Sequence, residues 1–231
     1  MFWNIKDLRK NHTADIAIMI LILGSLWGLS EVVLGDIIRA HDMPWRAGIL
    51  TGLGMGIMGV AVGLSRKAAP LIGIALLAVA AKLIAVPILG CSFLCKANTC
   101  AAVLMQGAAL SGAVAIAGPR IAGSSLKKAA TGFSAALASA ACFYYVGIHL
   151  APCKHLLSFG GIVPFMLAEG LVWAAFSGVL FPLGYKIGMV VGHEIPVVKM
   201  NMPRAYYLSC SAGVLLCWAA ITTSILIGTQ C

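Results

Sequence analysis

The sequence predicts an all-α protein, a polytopic transmembrane bundle of six to seven helices, and three observations carry that prediction. First, 61% of the 231 residues are hydrophobic and only 10% are charged, against about 25% charged in an ordinary globular domain. A soluble domain of this size has too little interior to hide that much apolar surface, so lipid is its solvent. Second, the apolar residues fall into seven stretches of the roughly 20 residues that a membrane-crossing helix needs. Third, Lys and Arg concentrate in alternate connecting segments. This last pattern also excludes a nucleic-acid binder despite the formal charge of +9, because the basic residues are scattered between apolar runs and form no phosphate-binding face. A single integral membrane domain over 1–231 is expected, with 1–13 as an interfacial segment.

The first span is read over 14–35. It follows Lys6, Arg9 and Lys10, but its apolar run is longer than the roughly 7–15 residues of a secretory signal and no A-x-A-like cleavage site follows. It reads as a retained anchor, with Phe2, Trp3, Ile5 and Leu8 beside the basic residues at the membrane interface. The second span, 46–64, repeats glycine at Gly48, Gly52 and Gly56, and again at Gly59 and Gly63. Small residues at this spacing let helix backbones approach closely. The remaining spans are 68–89, 98–117, 129–150, 161–185 and 206–228. Pro164 and Pro182 are positions where the sixth would kink or break. The longest polar segment runs from Lys186 to Arg204.

Basic residues orient the bundle. With the N-terminus inside, the inner segments hold Lys6, Arg9, Lys10, Arg66, Lys67, Arg120, Lys127, Lys128, Lys186, Lys199 and Arg204. The outer segments hold only Arg39, Arg46, Lys96 and Lys154. A cytoplasmic N-terminus and an external C-terminus in the cell membrane are expected.

Few ionisable residues lie well inside the spans: Glu31, Lys82 and Glu169. Each costs roughly 2.5–3.5 kcal/mol at a helix centre on insertion scales. At about 1.5 Å per residue, Glu31 lies about 6 Å, Lys82 about 10 Å, and Gln106 and Glu169 about 12 Å below the outer ends of their spans. Four helices thus offer polar groups in the outer half of the bundle. Trp27 precedes Glu31 by four residues and Trp173 follows Glu169 by four, so each pair shares a helix face. An outward-opening cavity with carboxylates above and indoles at its floor suits an amphipathic small molecule or an organic cation. Two other readings stand beside it: a carboxylate paired with Lys82 as a tie between helices, and a proton relay.

Of the eight cysteines, Cys91, Cys95, Cys100, Cys153 and Cys231 fall at or near the outer surface. Cys142 falls in the outer half of the fifth span. Cys210 and Cys217 fall within the seventh. The outward bias fits disulfides in an oxidising compartment, with Cys153 paired to Cys91, Cys95 or Cys100. With His149 and His155 these thiols are also candidates for a zinc or copper site. The absence of CxxC argues against thiol redox chemistry, and no nucleotide, metalloprotease or hydrolase motif is present. No enzyme activity and no cofactor are expected.

The first helix reads Gly24-Ser25-Leu26-Trp27-Gly28-Leu29-Ser30-Glu31 and is followed by Gly35, Pro44 and the glycine run. It resembles the start of small bacterial membrane proteins related to the S components of energy-coupling factor (ECF) transporters. Gln106-Gly107 and Ala168-Glu169-Gly170 are similar to polar-glycine positions later in such proteins. The resemblance implies a helical bundle that captures a vitamin or metal species from outside. A transmembrane T component and two ATPases then reorient it. S components have six helices, whereas seven spans are read here. A structural or assembly subunit of a membrane complex, and a membrane thiol or metal protein, are the alternatives.

Overall fold

The computed structural model describes residues 5–90, 93–150, 152 and 154–227, with side chains from Thr13 onward apart from those of 94, 95, 154 and 155. Among the described residues, seven helices are long and apolar enough to cross a membrane. They are α1 (Thr13–Ala40), α2 (Arg46–Ser65), α3 (Ala69–Leu89), α4 (Lys96–Gly123), α5 (Ser125–Leu150), α6 (Ile162–Asn201) and α7 (Pro203–Ile227). No strand occurs among the described residues. The chain is a multi-pass membrane protein.

Neighbour relations make a ring of six helices in the order α1–α3–α4–α5–α6–α2, closing from α2 back to α1. The seventh helix stands outside it, chiefly against α1. It is the least buried helix, and α2 is the most buried. Ile221 and Ile225 of α7 are fully buried beside Val32, Ala81 and Ala85, and the Trp218 indole donates to Ser25 Oγ at 2.9 Å.

The closest helix pair is α2 with α6, and its glycines explain why. A Cβ on Gly59 would stand 2.6 Å from the Phe181 carbonyl oxygen, and one on Gly52 would stand 2.7 Å from Phe176 Cβ. From the other side, Gly184 and Gly188 lie against the backbone of Gly56 and Val60. In lipid the association has no hydrophobic drive, so this contact area is what holds the two helices together.

Helix α6 departs from the expected span of 161–185. It continues through Pro182 and Pro196 to Asn201, so most of the polar segment from Lys186 is helix. Apolar residues persist there, and Gly188 and Gly192 keep the helix seated on Val60 and Leu64 of α2. Near its end, Lys199 Nζ reaches Asp15 Oδ1 at 2.5 Å. Likewise α1 runs five residues beyond its expected end, to Ala40.

Two further bends serve the connections. Arg66 caps α2 in the left-handed conformation (φ 53°), and Pro70 opens α3 in its first turn, where a missing N–H costs nothing. At the opposite end of α2, Trp45 is also left-handed, at φ 59°.

Candidate functional site

The two carboxylates on which the sequence reading centred both sit in π-helical turns. Ser30–Leu34 of α1 contains Glu31, and Met166–Gly170 of α6 contains Glu169. Such a turn fits one extra residue into the helix and is often found at functional sites.

Glu31 is 8% exposed, and both of its oxygens are engaged. Lys82 Nζ of α3 stands 2.5 Å from Oε2, and the Trp27 indole donates to Oε1 at 3.3 Å. One turn of helix therefore supplies both the acid and a donor that orients it. Gln106 of α4 is buried and donates through Nε2 to Thr51 Oγ1 of α2 at 3.0 Å. Its Oε1, together with the Trp173 indole nitrogen and Ser177 Oγ, is buried without a hydrogen-bond partner.

A cavity of about 310 Å³ brings most of these residues together. Glu31, Lys82, Gln106, Glu169 and Trp173 line it, with Arg46, Thr51 and Asn98. Helices α1, α2, α3, α4 and α6 all contribute, and the site uses late residues of odd-numbered helices with early residues of even-numbered ones. The sixth residue of the expected set is placed differently. Trp27 is fully buried and is not on the wall. Its ring fills the space left by Gly54, where a Cβ would fall 2.5 Å from the indole nitrogen. Trp27 thus backs Glu31, and of the two indoles only Trp173 meets the cavity.

An aromatic wall escaped the sequence reading. Phe143 of α5 and Phe165 of α6 line the cavity, with ring centroids 5.6 Å and 6.3 Å from Trp173. Tyr144 and Phe159 pack behind Phe165 at 5.0 Å and 5.3 Å. The run Phe143-Tyr144-Tyr145 was the available signal, but aromatic residues in an apolar span serve lipid-facing and cavity-facing positions alike.

A second chamber of about 240 Å³ adjoins the first and shares Glu31, Arg46, Leu50, Lys82 and Thr99 with it. It adds Asp36, Arg39 and Lys96. Arg39 lies 3.7 Å from Asp36.

The sulfur and imidazole candidates divide. Cys91, Cys153 and Cys231 and the side chains of Cys95 and His155 lie outside the described residues. Cys100 is buried with a free thiol, and Cys142, Cys210 and Cys217 are also free. His149 is exposed and meets the Tyr145 ring edge-on at 4.6 Å. Among the described residues no three His, Cys, Asp or Glu side chains gather as a metal site would require. No family model, curated protein or solved structure matches the chain.

Proposed function

We propose that the chain is a membrane-embedded capture subunit, similar in role to an ECF S component, that receives a small molecule for uptake. The observation that carries this reading is the cavity itself. Ionisable, amide and aromatic side chains from separate helices line one space of about 310 Å³. Polar groups placed so deep are costly unless they face a partner or a wet cavity. A pocket of this size with a few polar groups on an apolar wall is also the usual form of a small-molecule site.

The basic-residue asymmetry supports an arrangement in the cell membrane with the N-terminus cytoplasmic and the C-terminus outside. The cavity then lies toward the outside, as capture for uptake requires. The energy for transport comes, on this reading, from a T component with ATPase subunits. The test is purification in mild detergent followed by denaturation and mass spectrometry of the released small molecules. A molecule released from the wild type and lost from a folded Glu169→Gln or Trp173→Ala variant supports capture. Absence of any cavity-dependent molecule, with no uptake defect in either variant, rejects it.

The Glu31–Lys82 ion pair favours a second reading, a structural or assembly subunit in which charges tie helices together. On that reading, Glu169→Gln lowers thermal stability and no ligand is lost.

A further inference from the structure

We infer that the ligand of this cavity is a small amphipathic anion, with a carboxylate or phosphate head in the smaller chamber and an aromatic or apolar body in the larger. The inference deepens the capture reading and rests on it.

Charge is the first argument. The smaller chamber is lined by four cations, Arg39, Arg46, Lys82 and Lys96, and two carboxylates, Glu31 and Asp36. Glu31 is engaged by Lys82, and Asp36 Oδ1 stands 3.7 Å from Arg39, while Asp36 Oδ2 is buried without a hydrogen-bond partner. Arg46 and Lys96 have no carboxylate at ion-pair distance among the described residues. An organic cation would find the Glu31 carboxylate neutralised and would meet this surplus of positive charge. An anion would meet Arg46 and Lys96, which carry no ion pair among the described residues, in a chamber whose cations outnumber its carboxylates.

Placement sharpens the argument. Arg46 is the first residue of α2, and Lys96 lies in the first turn of the helical segment Phe93–Ala117. Cations are disfavoured at helix N-termini, where the macrodipole is positive. A bound oxyanion would relieve both conflicts and accept hydrogen bonds from the same side chains.

The wall between the chambers sets the orientation. Glu31, Lys82 and Arg46 line both spaces, so one molecule can extend from one into the other past the Glu31–Lys82 pair. Beyond that pair, Phe143, Phe165 and Trp173 offer an aromatic surface.

Matched probes test the inference: 2-naphthoate, its neutral amide 2-naphthamide and the cation 2-naphthylmethylamine. Each is titrated by equilibrium dialysis at pH 7 against the full chain in phosphatidylcholine nanodiscs. We expect saturable naphthoate binding at least tenfold tighter than that of either analogue. Arg46→Gln and Lys96→Gln should each weaken naphthoate about tenfold and leave the amide unchanged. Arg46→Lys should restore most of the loss, and Lys128→Gln at the opposite end should have no effect. Equal affinity for the three probes, tighter binding of the amine, or indifference to Arg46→Gln overturns the anionic assignment while leaving capture standing. Displacement of naphthoate by added phosphatidylglycerol overturns it by giving the cations to a lipid headgroup. Failure of all three probes to bind the wild type overturns the assignment and leaves the capture reading to the co-purification test.

Discussion

Lys82 and Glu31 stand 51 residues apart in the chain and 2.5 Å apart in space, with side chains only 12% and 5% exposed. Neither charge can be removed alone without leaving the other in a low-dielectric interior. Removing one member of a buried pair costs about 3–5 kcal/mol, whereas removing both is far milder. Lys82→Met is therefore expected to lower stability by about that amount, and adding Glu31→Gln should recover much of the loss. A double-mutant cycle by chemical unfolding in detergent measures this, and additive losses would show that the two charges are not coupled. Trp27→Phe removes the indole N–H and also shrinks a fully buried ring, so it should cost more than the roughly 1 kcal/mol of one hydrogen bond. The Trp27–Glu31 pair was legible in the sequence because i,i+4 spacing fixes a shared face. Which acid Lys82 chooses was not legible, since spacing along one helix says nothing about a residue on another. The retreat of Trp27 from the cavity depends on Gly54, which the sequence shows as one more glycine in a glycine-rich helix.

At the scale of elements, the glycines of α2 and α6 are not equivalent to those elsewhere. Gly184 and Gly188 lie against partner backbone, whereas Gly112 on α4 has open space around it. In a helix interior, glycine is worse than alanine by about 1 kcal/mol. Gly112→Ala is accordingly expected to be neutral or to stabilise by up to about that amount. Gly184→Ala must push backbone apart and should destabilise by at least the roughly 1–3 kcal/mol typical of overpacking. Thermal melts of the two variants compare them directly, and equal melting points would deny the seam its role. The spacing Gly48, Gly52, Gly56 announced a close approach but not its partner. That partner is also where the expected element failed. The continuation of α6 past Tyr185 depends on Gly188 and Gly192 meeting α2, a tertiary contact that overrides the polar composition of residues 186–201.

Over the whole molecule, the number of crossings and the basic-residue pattern predict which connections face the cytoplasm. With single cysteines placed on a cysteine-free background, positions 66, 120 and 199 should resist an impermeant thiol reagent applied to intact cells. Position 96 should react. Labelling at 120 would reverse the orientation and turn the cavity toward the cytoplasm. The seven apolar stretches were legible, because crossing a bilayer demands about 20 apolar residues whatever the partners, but composition alone left the count at six to seven and the structure gives seven among the described residues. The ring and the outlying position of α7 were not legible, because every span carries a similar composition. Ring geometry predicts that truncation after Met202 leaves a folded, monodisperse protein with a lower melting point, having lost the Trp218–Ser25 hydrogen bond and the burial of Ile221 and Ile225. Aggregation of the truncated chain would make α7 part of the core. The same ring bears on the order of synthesis. A ribosome delivers α2 early, but the surface that covers its glycine face is on α6, more than a hundred residues later. Through insertion of α3, α4 and α5 that face stands against lipid or the insertion machinery. Closure of the bundle therefore waits for the sixth helix, and a chain stalled before Gly184 is expected to be the species most open to degradation.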